Sequence, residues 1–260
     1  MKLSIITVNL NNATGLEKTI QSVIAQTFTD YEYIIIDGNS SDNSVEIIKK
    51  YAEHIAYWVS EPDGGIYQAM NKGIERATGE WLNFMNSGDT FCAPDTIQSL
   101  VDEGGFSNNQ AILYGNRITN CDGKLIEQKS NIKHIRCTMS VFHQSCFVPT
   151  ALHKENPFDT SYKIAADYDF LYKMVLKKVE FVHSEVNVCL FPVGGLSCNI
   201  EPQLKEAFAV VRSHNNSTVR INGYILLSLC QRYYISYFLK KYCPFFHKFI
   251  KQLYRKWTKY

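Results

Sequence analysis

The first 90 residues alternate between strand-like and helix-like segments, and this alternation limits the fold more than any other feature of the sequence. Short β-branched, apolar or aromatic runs predict buried strands at 3–8, 33–36, 55–59 and 81–85. Apolar residues at helical spacing predict helices over 15–26, 45–51 and 66–74. Strands that alternate with helices form parallel sheets, so the sequence predicts an α/β fold with a mostly parallel twisted sheet flanked by helices.

Each predicted strand is followed by a polar loop that carries an acid or an amide. These loop residues are Asn9, Asp37, Asp63 and Asp89. Neighbouring parallel strands end at one edge of the sheet, and ligands of open α/β sheets bind outside that edge. We therefore expect the four side chains to line one site for a ligand that carries hydroxyls and phosphates.

Glycine-rich phosphate cradles of the familiar kinds are missing from the sequence. No G-x-G-x-x-G follows the first predicted strand, and no G-x-x-x-x-G-K-[ST] occurs in the chain. The charge of a bound diphosphate must then be met by a cation. Asp89 ends the turn Asn86-Ser87-Gly88-Asp89, and we expect it to hold Mg²⁺ or Mn²⁺ together with substrate phosphates. An ordinary polar turn is the alternative for this segment.

Asp167 is the second place where chemistry is expected. Apolar residues at helical spacing predict a helix over 168–177, so Asp167 stands at or before its N-terminus. A carboxylate there can cap the free backbone N–H groups. The same carboxylate can act as a general base that takes the proton of an attacking hydroxyl. The residues alone leave both roles open.

Four motifs at the predicted strand ends resemble those of glycosyltransferase family 2. They are Ser4-Ile-Ile-Thr-Val-Asn-Leu-Asn, Ile34-Ile-Ile-Asp-Gly-Asn-Ser-Ser-Asp, Glu61-Pro-Asp-Gly-Gly-Ile-Tyr-Gln-Ala-Met-Asn-Lys-Gly and Asn86-Ser-Gly-Asp89. They occur in order over residues 3–95, and later motifs extend the similarity to about residue 200. The resemblance implies the GT-A fold of inverting enzymes that take a sugar from a nucleoside-diphosphate donor.

The resemblance also implies roles for single residues. Those assigned to nucleotide-sugar binding are Thr7, Asn9, Asp37, Asp63, Asn86 and Ser87. Asp37 and Asp63 are expected to face the base and the ribose. Asp89 matches the last carboxylate of a D-x-D-type metal motif, although Ser87 stands where an Asp is common. Asp167 matches the general base.

The segment 142–148 predicts a further strand. By resemblance its His143 and Gln144 contact the sugar or the acceptor, and a hydrogen-bonded strand histidine is the alternative. Arg117, in a predicted hairpin upstream, is expected to be solvated. For the segment 194–197 the resemblance implies a loop that closes over the donor, and an ordinary turn is the alternative.

Charge is distributed unevenly along the 260 residues. Residues 1–206 hold 17 Lys and Arg against 25 Asp and Glu, a net of −8, whereas 207–260 hold 10 Lys and Arg and no acid. Aromatic and aliphatic residues recur at helical spacing past residue 244, with basic residues between them. This pattern predicts C-terminal amphipathic helices, and a basic tail at 221–260 that binds an anionic membrane surface. Packing on the catalytic body or on a second copy in a homo-oligomer is the alternative.

These features together predict a catalytic domain at 1–220, with a nucleotide-sugar half at 1–100 and an acceptor half at 101–220. Eight scattered cysteines without a C-x-x-C pair, and no visible signal peptide, predict a cytoplasmic protein at the inner face of the membrane. The expected reaction adds a sugar to a lipid-linked or growing surface glycan. A sugar nucleotidyltransferase and an inactive nucleotide-binding scaffold are the alternatives. No nucleic-acid motif is present, so no nucleic-acid partner is expected.

Overall fold

The computed structural model describes residues 2–121, 123–136, 139–192 and 200–214. The chain divides into two units, Met1–Val210 and Val211–Tyr260, and only residues 211–214 of the second are described. The predictions for 194–197, for the domain boundary at residue 220 and for the tail at 221–260 therefore lie outside the described residues. No helix in the part of the chain that is described combines the length and apolar character needed to cross a bilayer.

The described part of the chain contains nine strands and seven α-helices. The strands are β1 (Leu3–Asn9), β2 (Tyr31–Asp37), β3 (Tyr57–Ser60), β4 (Trp81–Phe84), β5 (Thr90–Phe91), β6 (Ile112–Cys121), β7 (Lys124–Gln128), β8 (Cys146–Pro149) and β9 (Phe181–Pro192). The helices are α1 (Ala13–Ile24), α2 (Ser44–Lys50), α3 (Ile66–Arg76), α4 (Thr96–Asp102), α5 (Thr150–Glu155), α6 (Ala166–Leu176) and α7 (Ile200–His214). Short 3₁₀ turns occur at Ala52–His54, Ile132–His134 and His143–Ser145.

The first four strands form the parallel part of the sheet, as the sequence predicts. β1 pairs in parallel with β2 and β4, and β2 pairs in parallel with β3. In this register Asn9 lies opposite Asp37, and Asp37 lies opposite Ser60. The polar ends of β1, β2 and β3 therefore meet at one edge of the sheet.

The later strands extend this sheet with mixed directions, in the order β3-β2-β1-β4-β8-β6-β9-β5, with β7 paired to β6. β8 is antiparallel to β4 and to β6, whereas β9 is parallel to β6 and antiparallel to β5. β8 is thus the strand that joins the parallel part to the later part.

Successive side chains of β1 point to opposite faces of the sheet, and a helix packs against each face. Ile5 joins a core cluster with Leu16 and Ile20, which lie on one face of α1. Each such buried side chain contributes roughly 1.5–3 kcal/mol of hydrophobic stabilisation. On the other face, α3 lies so close to β1 that a Cβ on Gly73 would be 2.5 Å from Ile6 Cγ2.

Two local predictions are wrong. The segment 142–148 is not one strand, because His143–Ser145 forms a 3₁₀ turn and β8 starts only at Cys146. The Asn83 amide nitrogen donates to the carbonyls of Gln144 and Cys146 over 3.0 and 2.8 Å, which satisfies this turn without a strand ladder. Asp167 is not the N-cap residue of its helix, because α6 starts at Ala166 and places Asp167 in the first turn. Its Oδ1 nevertheless accepts the free backbone N–H of Tyr168 over 2.9 Å.

Candidate active site

The carboxyl ends of β1, β2 and β3 surround a carboxylate that the protein itself saturates with hydrogen bonds. Asp37 is fully buried. Its Oδ1 accepts from Asn9 Nδ2 and Ser40 Oγ over 2.7 and 2.6 Å, and its Oδ2 accepts from Ser40 N and Ser60 Oγ over 2.9 and 2.6 Å. Burial acts to raise the pKa of Asp37, but these hydrogen bonds outweigh it and hold the pKa below its usual value. Asp37 therefore fixes three strand ends in place.

Thr7 and Asn9 differ in what they offer a ligand. Thr7 is fully buried, and its hydroxyl donates to the Met85 carbonyl over 2.7 Å, so it supports the edge from within the sheet. Asn9 is also buried, but its Oδ1 has no hydrogen-bond partner. An unpaired buried acceptor carries a desolvation cost that a bound donor group would relieve.

Asp63 extends this row of polar groups to the loop after β3. It is half-buried, and its Oδ1 accepts from Gly65 N over 2.9 Å at the start of α3. A Cβ on Gly38 would lie 2.9 Å from Asp63 Oδ2, so the two loops touch at Gly38. The structure thus brings Asn9, Asp37 and Asp63 to one edge.

The turn after β4 carries the predicted metal ligand. Gly88 has a φ of 104°, a conformation that favours glycine, and Asp89 N donates to the Asn86 carbonyl over 2.8 Å. Ser87 N donates to the Val8 carbonyl over 3.1 Å, which ties the turn to β1. Burial raises the pKa of Asp89 to about 6, even though His143 and a hydrogen bond from Gln144 act in the opposite direction.

His143 connects this turn to Asp167. Its Nδ1 lies 2.7 Å from Asp167 Oδ2, and its Nε2 lies 3.3 Å from Asn86 Nδ2. An ionised carboxylate only accepts, so Nδ1 carries the proton that is donated to Asp167. Since His143 and Gln144 both act to lower the pKa of Asp89, both candidate acids adjoin the turn His143–Ser145.

Tyr67 is a site residue that the sequence did not single out. Its hydroxyl lies 2.9 Å from Asp167 Oδ1, while Tyr168 N also donates to Oδ1 over 2.9 Å. Helical spacing in α3 places Tyr67 near the buried face of Met70 and Ile74. Nothing in that spacing reveals a partner 100 residues away in the chain.

Arg117 was expected to be solvated, and this is wrong. Its guanidinium carbon lies 3.6 Å from the centre of the Phe142 ring and 4.6 Å from that of Phe191, and its Nε and Nη2 donate to Gln128 Oε1. It also lowers the pKa of Asp89 electrostatically. Two aromatic residues that are distant in sequence hold this cation beside the site.

The described residues hold no group of three or more His, Cys, Asp and Glu side chains that is placed to bind a metal. The oxygens available at the predicted position are the Asp89 carboxylate and Asn86 Oδ1, which is buried without a hydrogen-bond partner. Mg²⁺ and Mn²⁺ bind oxygen, and Mg²⁺ is commonly held by one or two protein ligands together with substrate phosphates. This donor set fits that kind of site.

A sequence model described as "Glycosyl transferase family 2" matches residues 4–170, which is more than half of the chain. The chain belongs to this family. It is a glycosyltransferase, and the residues from Thr7 to Asp167 that form the site all lie within the matched span.

Similar proteins agree with this membership. An uncharacterised glycosyltransferase of Mycobacterium tuberculosis H37Rv is 33% identical over 206 residues, which cover 77% of this glycosyltransferase and 78% of the relative. A PGL/p-HBAD biosynthesis glycosyltransferase of Mycobacterium bovis BCG is 28% identical over 171 residues, which cover 64% of this chain and 67% of the relative.

Solved structures identify the fold as GT-A, as predicted. Staphylococcus aureus TarS 1–349 in complex with UDP superposes with a TM-score of 0.67 at 19% identity, covering 90% of this glycosyltransferase and 72% of that chain. Against the longer TarS structure, the covered share is 44% of that chain. The mannosyltransferase PcManGT of Pyrobaculum calidifontis gives a TM-score of 0.62 at 16% identity, covering 88% of this chain and 69% of that one.

Proposed function

We propose that this glycosyltransferase moves a sugar from a nucleoside-diphosphate donor to a hydroxyl group, with inversion at the anomeric carbon. The observation that carries the proposal is the convergence of two buried carboxylates, Asp89 and Asp167, on the turn His143–Ser145. Supporting it, a TarS structure contains UDP-GlcNAc, and the PcManGT structure contains GDP-Man and Mn²⁺.

Asp167 is the general base of this proposal. As the acceptor oxygen forms its bond to the anomeric carbon, the acceptor O–H proton passes to the Asp167 carboxylate. The bond from that carbon to the diphosphate oxygen breaks, and its electron pair leaves with the diphosphate. A single displacement of this kind inverts the anomeric carbon. The Nδ1–H of His143, at 2.7 Å, holds the carboxylate while this occurs.

Asp89, with Asn86 Oδ1, would hold Mg²⁺ or Mn²⁺. When bound, the ion supplies positive charge that stabilises the departing diphosphate. Ser87 leaves this turn one carboxylate short of the usual D-x-D pattern, so Asp89 carries the acidic part of the metal interaction.

The donor-side residues divide into supports and contacts. Thr7 and Asp37 hold the edge of the sheet, since their polar atoms are already bonded within the protein. Asn9 Oδ1 and the half-buried Asp63 are the groups with capacity to meet the nucleotide. We propose that Asp37 orients Asn9 toward the nucleotide.

The acceptor class and the location extend the proposal. The acceptor is a lipid-linked or growing surface glycan, contacted on the side of His143 and Gln144.

The basic tail at 221–260 binds an anionic membrane surface from the cytoplasm. Truncation at about residue 222 tests this by co-sedimentation with vesicles of anionic lipid. Equal partition of the two proteins would contradict membrane binding through the tail.

The reaction is tested by incubating the protein with a panel of UDP- and GDP-sugars, with and without Mn²⁺, and measuring release of nucleoside diphosphate. Asp167→Asn keeps the shape of the side chain but removes the base. We expect it to retain nucleotide-sugar binding by calorimetry and to lose about 10²- to 10⁴-fold in turnover. A nucleotidyltransferase would release no nucleoside diphosphate here, but would release pyrophosphate when given a nucleoside triphosphate and a sugar 1-phosphate. A binding scaffold would release neither product.

A further inference from the structure

The Tyr67 hydroxyl has two acceptors within reach and one proton to give. It lies 2.7 Å from the Ile164 carbonyl oxygen and 2.9 Å from Asp167 Oδ1. A phenol carries a single hydrogen, so one full hydrogen bond is donated at a time. Burial, together with the charge of Asp167, raises the pKa of Tyr67 well above its usual value. The proton therefore stays on the phenol and is shared only by rotation of the hydroxyl.

The ring of Tyr67, which belongs to α3, packs against the segment that precedes α6. Its centre lies 5.3 Å from that of Phe158, and it is 6% exposed. One turn along α3, Asn71 exchanges two hydrogen bonds of 2.9 Å with the backbone of Phe158. Tyr67 and Asn71 thus anchor one helix to the segment that leads to the base.

The second acceptor is fixed as well. Glu206 in α7 accepts the backbone N–H groups of Lys163, Ile164 and Ala165 over 2.7–3.0 Å. A carboxylate held by three consecutive N–H groups fixes the direction of the peptides between them. The Ile164 carbonyl therefore stays aimed at the Tyr67 hydroxyl.

From this geometry we infer that Tyr67 is a positioning residue for Asp167, with a hydroxyl that serves both protonation states of the base. The inference rests on the proposed function. While Asp167 is ionised, Tyr67 donates to Oδ1. Once Asp167 has taken the acceptor proton, the hydroxyl turns to the Ile164 carbonyl, and the phenol oxygen can accept from a carboxylic O–H at Oδ1. Tyr67 neither gains nor loses a proton overall.

The positioning role of Tyr67 links the base to Asp63, which lies four residues earlier in the sequence. Asp63 bonds to Gly65 N just before α3, and Tyr67 lies in the first turn of that helix. One short helix therefore connects the proposed donor contact to the base. Asp167 would be held in place by the same element that meets the nucleotide.

The test is Tyr67→Phe, which keeps the ring and removes the hydroxyl. With the most active sugar nucleotide of the panel, we expect kcat to fall about 10- to 100-fold while KM for the donor changes less than about twofold. In an Asp167→Asn background the same substitution should change kcat by less than about twofold, since its effect passes through the carboxylate.

Tyr31→Phe is the matched control. Tyr31 packs against the core cluster, and its hydroxyl donates to the Val23 carbonyl over 3.4 Å, away from the proposed base. We expect this variant to lose thermal stability and to keep its kcat. An unchanged kcat for Tyr67→Phe, or equal losses of kcat in the two variants, would overturn the positioning role.

A wild-type protein that releases no nucleoside diphosphate from any sugar nucleotide would refute the proposed function instead. The contact between Tyr67 and Asp167 can then be tested without an activity assay. The melting temperatures of Tyr67→Phe, Asp167→Asn and the double variant are compared. Non-additive losses in melting temperature support the coupling of the two side chains, whereas additive losses overturn it.

Discussion

Asp37 and Asp89 are both buried acids that follow parallel strands, yet their surroundings are opposite. Asp37 accepts four hydrogen bonds from protein groups, and its pKa is held below the usual value. Asp89 is 5% exposed, and burial raises its pKa to about 6. The comparison teaches that an acid at a strand end can play either of two roles. It can be a structural anchor, or it can have few hydrogen bonds from the protein and so remain able to bind a ligand.

The same contrast holds for the amides beside the two acids. Asn9 and Asn86 each present an amide oxygen without a hydrogen-bond partner, but their nitrogens differ. Asn9 Nδ2 completes the Asp37 network at 2.7 Å, whereas Asn86 Nδ2 reaches His143 at 3.3 Å. The tight network supports the donor edge, and the looser one leads to the proposed base.

The largest effect that would break this comparison is expected at Asp37. In Asp37→Asn an amide nitrogen must replace one oxygen, and in either orientation it faces a nitrogen donor, Asn9 Nδ2 or Ser40 N. We expect a loss of about 3 kcal/mol in the free energy of unfolding, measured with urea. Asp63→Asn is the control, and its half-buried carboxylate should cost less than about 1 kcal/mol. Equal losses would refute the anchoring role of Asp37.

A smaller effect of opposite sign is expected at Asp89. Its folded-state pKa lies above the unfolded value, so the ionised carboxylate destabilises the fold, and stability is lost as pH rises from about 4 through about 6. Asp89→Asn removes this loss. In buffer with EDTA, the stability of the variant relative to wild type should rise by on the order of 2 kcal/mol between about pH 4 and about pH 8. A difference that does not depend on pH would contradict the proposed cost of this charge.

The smallest effect would sharpen the description of the saturated network. Ser60→Ala removes one of the four donors to Asp37, and water can replace it because Ser60 is half-buried. We expect a loss of about 1 kcal/mol by thermal unfolding. Ser41→Ala, whose hydroxyl bonds to the exposed Asn11, should leave the melting temperature within error. A Ser60→Ala loss as large as that of Asp37→Asn would mean that one bond dominates the network.

The sequence predicted the parallel strands and the polar edge well, because both follow from local patterns. Continuous apolar runs mark strands that are buried on both faces, and the residues after them must meet at one edge. The 3₁₀ turn at His143–Ser145 escaped prediction, since its carbonyls are satisfied by Asn83, which lies 61 and 63 residues from the partners it bonds. Arg117 escaped because the rings that hold it come from two separate segments.

The sequence by itself determined the alternation of strands and helices, the edge at which acids and amides gather, and membership of a family of glycosyltransferases. Those features depend on side-chain periodicity and on motifs that are continuous in the chain. Only the tertiary structure decided that Asp37 is saturated, that Asp89 is desolvated, and that Asp167 lies between His143 and Tyr67. Burial and hydrogen bonding are set by neighbours that packing brings together from distant segments, and no local pattern encodes them.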